Sequence, residues 1–177
     1  MKLSRLLPLA SVALVLFWTG AIRAETKVEL KGVHLCCGQC ISTVGKVLKG
    51  VDGVTDAKCD KDNKTVTFNA KDADTAKKAL KALANAGFSG DAGKDLALKD
   101  DSGAPKGKVK TITLTGVHNC CGMCNGALQK AIKSVDGVKD NTAKAKEKTF
   151  EVTGDFDAQA LIKALNEAGF HVKVKKE

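Results

Sequence analysis

The chain contains the same pattern twice, and the duplication limits the fold more than any other feature. Gly32-Val33-His34-Leu35-Cys36-Cys37-Gly38-Gln39-Cys40 recurs as Gly116-Val117-His118-Asn119-Cys120-Cys121-Gly122-Met123-Cys124, displaced by 84 residues. At the same displacement Val51-Asp52-Gly53-Val54 matches Val135-Asp136-Gly137-Val138. Ala86-Gly87-Phe88 matches Ala168-Gly169-Phe170 at a displacement of 82, so the second copy has lost two residues in between. A unit that occurs twice has to bury its own core within roughly 65–70 residues, close to the lower limit for independent folding.

Periodicity predicts the same element order in each copy. Val28 and Leu30 alternate with Lys27, Glu29 and Lys31, as in a half-buried strand, and Ile112 and Leu114 repeat this among threonines. Val44, Val47, Leu48 and Val51 fall at helical spacing after the first cysteine cluster; Leu128, Ala131, Ile132 and Val135 do so after the second. Each Asp-Gly-Val turn leads into a weakly patterned second strand. Thr65–Phe68 and Thr149–Val152 alternate cleanly as third strands. Second helices are expected over 74–86 and 157–168, ended by Gly87 and Gly169. Copy two has a clear last strand over 170–175. In copy one, Phe88 is followed by no large apolar residue until Leu96 and Leu98, and the pattern leaves open whether those two extend the strand. The order strand-helix-strand, strand-helix-strand predicts an α+β fold: two tandem ferredoxin-like βαββαβ sandwiches, each a four-stranded antiparallel sheet with two helices on one face.

The N-terminus reads as a leader. Lys2 and Arg5 precede an apolar stretch from Leu6 to Trp18, interrupted only by Pro8 and Ser11, and a small-residue segment ends at Ile22-Arg23-Ala24. This is the pattern of a secretory signal peptide cleaved after Ala24, with an uncleaved anchor as the alternative. The expected organisation is a signal peptide over 1–24, a first domain over 25–93, a linker rich in Asp, Ser, Gly, Pro and Lys over 94–108, and a second domain over 109–177. Export places the chain in the periplasm or outside the cell, with no stable membrane association after cleavage. Of the formal net charge of +9, Lys2, Arg5 and Arg23 of the leader supply three, and the rest comes from scattered lysines interleaved with acidic residues. No basic run carries aromatics that would stack on bases, so nucleic acid is not an expected partner. No phosphate loop, Ser-His-Asp set or pair of catalytic carboxylates stands out, and no enzyme is expected.

Six of the seven cysteines lie in the two tight clusters, unlike the spread of a disulfide framework. Cys37-x-x-Cys40 and Cys121-x-x-Cys124 each put one thiol in the loop and one in the first helical turn, so the sulfurs can converge on an ion. The positive end of the helix favours thiolate. Thiolates are soft ligands suited to Cu(I), Zn(II) and heavier thiophilic ions. Cys36 and Cys120 add a third sulfur to each loop, which suits trigonal Cu(I), or Zn(II) with a fourth ligand. His34 and His118 are the secondary ligand candidates. His171 and Cys59 occur in one copy only; the histidine reads as a non-ligand, and the cysteine as a small strand residue or an interchain cross-linking site.

Each copy resembles the heavy-metal-associated domain, the module of copper chaperones, periplasmic mercury-binding proteins and the N-terminal tails of metal-pumping ATPases. The family's Gly-Met-x-Cys-x-x-Cys loop, following helix and Asp-Gly-Val turn align without gaps with Cys37, Cys40, Val44, Leu48 and Val51–Val54. They align equally with Cys121, Cys124, Leu128, Ile132 and Val135–Val138. Phe88 and Phe170 match the family's aromatic near the metal loop. Two departures stand out: His34-Leu35 and His118-Asn119 replace Gly-Met, whose Met anchors the loop, and Cys36 and Cys120 occupy the variable position. The extra cysteine resembles the Cys-Cys-x-x-Glu loop of some zinc-pumping ATPases. The resemblance implies capture, buffering or delivery of Cu(I) or Zn(II), one ion per domain, with a metal transporter or another metal-binding protein as exchange partner. Two other readings remain: thiol–disulfide exchange by the Cys-x-x-Cys pairs, and a metal shared between copies or between chains.

Overall fold

Residues 24–176 are described by the computed structural model; the leader and its cleavage site fall almost wholly outside them. Copy one runs β1 (Thr26–Lys31), α1 (Gly38–Lys49), β2 (Val54–Asp60), β3 (Thr65–Ala70) and α2 (Ala73–Asn85). Copy two runs β4 (Lys108–Thr115), α3 (Gly122–Lys133), β5 (Val138–Asn141), β6 (Thr149–Asp157), α4 (Ala158–Glu167) and β7 (Lys173–Val174). The sheets are antiparallel, ordered β1-β3-β2 and β5-β6-β4-β7. Among the described residues no helix is long and apolar enough to cross a membrane.

Each copy has its own core, built by the expected alternation. Val28 and Leu30 of β1, Val66 and Phe68 of β3, Val44 and Leu48 of α1, and Ala79, Leu80 and Leu83 of α2 are buried together. Ile112, Leu114, Leu128, Ile132, Phe150, Val152, Leu161 and Leu165 do the same in copy two. Asp72 and Asp157 cap α2 and α4, accepting from the amides of Thr75 (2.7 Å) and Ala160 (2.8 Å). These caps explain why both helices start where they do.

Copy one departs from the expected four strands. Its last strand is reduced to an isolated bridge between Lys31 and Asp91, and the sheet has three strands. The cause is Gly90, which stands where copy two has the buried Val172. A Cβ on Gly90 would lie 2.8 Å from Leu30 Cγ and from the Lys31 carbonyl oxygen. The chain therefore passes too close to β1 for the side chain that a paired strand would bury there. Leu96 and Leu98 do not extend the strand: Leu96 lies in a short 3-10 turn packed against the copy-one core, and Leu98 is 43% exposed. The linker residue Ser102 is buried, and its carbonyl accepts from the Val174 amide (2.7 Å), so part of the expected linker is strapped along β7.

Candidate metal centre

The two copies dock through the ends of their second helices. Phe88 and Phe170 form an antiparallel bridge. The Ser89 amide donates to the Gly169 carbonyl (3.0 Å), and the His171 amide to the Gly87 carbonyl (3.1 Å). Gly87 and Gly169 have φ of +89° and +86°, which a helix-ending glycine adopts without strain. A second constraint fixes them. A Cβ on Gly87 would lie 2.2 Å from the His118 amide nitrogen, and one on Gly169 would lie 2.3 Å from that of His34. Each glycine thus admits the other copy's metal loop against its own backbone.

The neighbouring aromatics cross over in the same way. Phe170 stacks on His34 and Phe88 on His118, both with ring centroids 4.4 Å apart. The aromatic that the resemblance assigns to a domain's own loop therefore packs on the loop of the other domain. This exchange brings the two cysteine loops face to face.

Cys37 and Cys121 occupy the N-cap positions of α1 and α3, with Cys40 and Cys124 one turn in and fully buried. The loop anchors differ. Leu35 is buried in the copy-one core. Asn119 is also buried, but it is held by polar contacts: its Nδ2 donates to Asn125 Oδ1 (3.0 Å) and to the Lys144 carbonyl (2.8 Å), and its backbone carbonyl accepts from the Lys146 amide (2.7 Å). Both loops therefore have an anchor where the family's Met stands.

Sulfurs from both loops meet in one cluster. Within copy one, Cys40 Sγ lies 3.7 Å from both Cys36 and Cys37. Within copy two, Cys124 Sγ lies 3.4 Å from Cys120 and 3.7 Å from Cys121. Between copies, Cys36 is 3.2 Å from Cys124 and 3.6 Å from Cys121. Cys120 is 3.6 Å from Cys37 and 3.8 Å from Cys40, and Cys40 is 3.9 Å from Cys124. None of these thiols is in a disulfide. A metal–sulfur bond of about 2.3 Å sets neighbouring sulfurs about 3.8–4.0 Å apart around one ion, so the spacing fits metal thiolate chemistry.

The thiols differ in acidity. The Cys40 amide at the start of α1 holds the Cys37 thiol below its usual range, and the Cys124 amide does the same for Cys121, although neither sulfur makes an aligned capping hydrogen bond. Burial pushes the Cys36 thiol up, and that of Cys120 up to about 12. One thiolate-prone sulfur per loop thus faces solvent beside a protonated partner, and an incoming cation would displace the remaining protons.

The histidines behave differently from each other. One ring nitrogen of His34 groups with Cys36 and Cys124, all three ligand atoms within 4.8 Å of one another. Burial, then Lys64 and His118, lower its pKa to about 4, so the ring is neutral and its buried Nε2 lacks a hydrogen-bond partner. Among the described residues His118 joins no such group, although its Nε2 is likewise buried without a hydrogen-bond partner and its ring stacks on Phe88 as that of His34 does on Phe170. His171 is remote from the sulfurs in role: its Nε2 sits 3.1 Å from Asp101 Oδ1, beside the Lys173–Asp101 ion pair at 2.9 Å. Cys59 is half-buried in β2 opposite Val66, and burial raises its pKa.

The sequence points to all six clustered cysteines and assigns one ion per domain, with a metal shared between the copies among its alternatives; the structure brings the two loops together. In the sequence Gly87 and Gly169 read only as helix stops. The available signal was the repetition of Gly-Phe after the second helix together with Gly-Val-His before the cysteines.

The heavy-metal-associated domain family model matches residues 29–89 and 112–171. Among solved structures, the N-terminal domain of PacS from Synechocystis PCC6803 is 28% identical, spanning 38% of this chain and all of that one, with a TM-score of 0.36. Oxidized MerP from Ralstonia metallidurans CH34 is 31% identical over 38% of this chain and 97% of that one, also at 0.36. The N-terminal soluble domains of Bacillus subtilis CopA cover 86% of this chain and 95% of theirs at 15% identity and a TM-score of 0.30. No curated protein sequence matches the chain. The two family matches take in more than half of the sequence and both cysteine loops, and the chain belongs to the heavy-metal-associated domain family.

Proposed function

We propose that this protein binds a soft metal ion outside the cytoplasm, Cu(I) or Zn(II), and captures, buffers or delivers it without catalysing a reaction. The observation that carries the reading is the meeting of six free thiols at one place, each with two or more other sulfurs at 3.2–3.9 Å. Cys36, Cys37, Cys40, Cys120, Cys121 and Cys124 are the ligands, with His34 the more suitable of the two histidines. Cys37 and Cys121 are the points of entry: each is partly open to solvent and acidified by helix amides, so it takes an ion first and passes it inward. Release to a transporter or another metal-binding protein reverses this order by ligand exchange. Export rests on the leader pattern over 1–24, and cell fractionation tests it: the mature chain starts at Glu25 in the exported fraction.

The test of metal binding uses anaerobically purified, reduced full-length chain exposed to equal Cu(I), Zn(II) and Mg(II), then desalted and analysed for metal. A thiophilic ion is retained and magnesium is not, and the Cys37→Ser/Cys121→Ser double variant retains less. Undiminished retention by the double variant, or no preference over magnesium, overturns the reading.

The acidified Cys37 and Cys121 also favour a second reading, thiol–disulfide exchange. It requires the metal-free chain to reduce or oxidise insulin disulfides, whereas the metal-binding reading expects no turnover.

A further inference from the structure

Nine short sulfur pairs link the six cysteines in triangles, and no four sulfurs are joined by short contacts in every pairing. Three wider pairs, Cys36–Cys37, Cys37–Cys121 and Cys120–Cys121, fall within 4.8 Å. Taken together, these contacts describe a distorted octahedron. Its opposite corners are the pairs outside the contact set: Cys36 and Cys120, Cys37 and Cys124, Cys40 and Cys121.

Four alternating faces of that octahedron are Cys36-Cys37-Cys121, Cys37-Cys40-Cys120, Cys120-Cys121-Cys124 and Cys36-Cys40-Cys124. The first three are themselves groups suited to an ion, and the fourth has edges of 3.7, 3.9 and 3.2 Å. Every sulfur belongs to two of these faces. A tetrahedral ion needs four sulfurs all near one another, and the short contacts complete no such set; a trigonal ion needs three, which each face supplies.

We propose that the two loops form one composite site for a tetranuclear Cu(I)–thiolate cluster, with one Cu(I) on each of four faces and every cysteine bridging two ions. The proposal rests on the soft-metal reading above and specifies its stoichiometry. Loading changes no oxidation state: thiol protons leave to solvent as metal–sulfur bonds form, and four monovalent ions on six thiolates carry a net charge of −2. Lys64, Lys130 and Glu167 line a cleft beside Cys36, and Lys146 and Lys148 line one beside Cys120, which leaves a net positive charge beside that anion.

Sharing of sulfurs makes loading cooperative, because the first ion draws together thiolates that the next also uses. It also makes loading depend on docking of the copies, which Gly87 and Gly169 permit. The test is an anaerobic titration of the reduced full-length chain with Cu(I) supplied as its acetonitrile complex, followed by native mass spectrometry and Cu(I)–thiolate luminescence. The wild-type chain passes from the metal-free form to four Cu(I) per monomer with few intermediates, and luminescence rises in step.

Two variants separate this from independent sites. Cys36→Ser/Cys120→Ser removes one pair of opposite corners and leaves two Cys-x-x-Cys pairs. It binds no more than two ions, one after another, without the cluster luminescence. Gly87→Val/Gly169→Val wedges the copies apart and loses cooperativity while every cysteine remains; circular dichroism establishes that it is folded, and if it is not, the serine variant alone decides. Stepwise binding of one or two Cu(I) to the wild-type monomer, or four reached only in a dimer, overturns the cluster and leaves the metal-binding reading standing. Absence of any Cu(I) binding removes both.

Discussion

The two copies reach the same sulfur geometry with different supports. Copy one holds its loop by burying Leu35 in an apolar core and manages with three strands. Copy two holds its loop by hydrogen bonds from Asn119 and adds β7, onto which the linker is strapped through Ser102. Cys40 and Cys124 nevertheless end equally buried, and each loop lies under an aromatic from the opposite copy. What is common to both halves is therefore the docking interface and the cysteines. The anchor and the sheet edge differ between the halves, whereas the interface and the cysteines are kept.

The comparison breaks most readily at the shared interface. Phe88→Ala and Phe170→Ala each remove a fully buried ring that also covers the other copy's histidine, and each is expected to cost about 3–5 kcal/mol in urea denaturation of the metal-free chain. Both variants should also weaken metal retention although neither residue is a ligand; a loss of stability with unchanged metal retention would separate the interface from the site.

The anchors come next. Leu35→Ala leaves a cavity and should cost about 2–4 kcal/mol, whereas Asn119→Ala removes hydrogen bonds and should cost about 1–3 kcal/mol. Denaturation midpoints of the two variants rank the supports directly, and equal midpoints would mean that the polar anchor is as strong as the apolar one.

A smaller effect is the pH response of His34. Its folded pKa of about 4 lies below its ordinary 6.5, so the unfolded chain binds the extra proton first as pH falls. The stability associated with the neutral ring is complete above about pH 6.5 and is lost progressively toward pH 4. After allowance for partial exposure this amounts to on the order of 1–2 kcal/mol. Thermal melts of the metal-free chain across this window should lose that dependence in His34→Gln.

The smallest effects are at the caps. Asp72→Ala and Asp157→Ala should each cost about 1 kcal/mol, and the helical signal in circular dichroism should soften at the start of α2 or α4 alone.

Much of this architecture was legible in the sequence because it is local. Val28 and Leu30 alternate, Val44 and Leu48 sit one turn apart, and Gly87 and Gly169 stop helices; each signal lies within a few residues. The missing fourth strand in copy one was half visible in the weak run after Phe88, but its cause, the close approach of Gly90 to Leu30, involves residues far apart in the chain. For the same reason the sequence offers a site shared between the copies only as an alternative to one ion per domain. Nothing within either nine-residue motif states that Phe170 will cover His34, or that Gly87 will seat the His118 backbone. Those contacts depend on how two folded units dock, and local periodicity carries no record of that.

The most direct test of the central claim is X-ray absorption at the copper edge of the anaerobically Cu(I)-loaded, full-length protein. The account predicts a shell of about three sulfurs at about 2.3 Å, with copper–copper scattering beyond it. A shell of nitrogen or oxygen without sulfur would contradict thiol binding itself, and two sulfurs per copper with no copper neighbour would contradict the shared site.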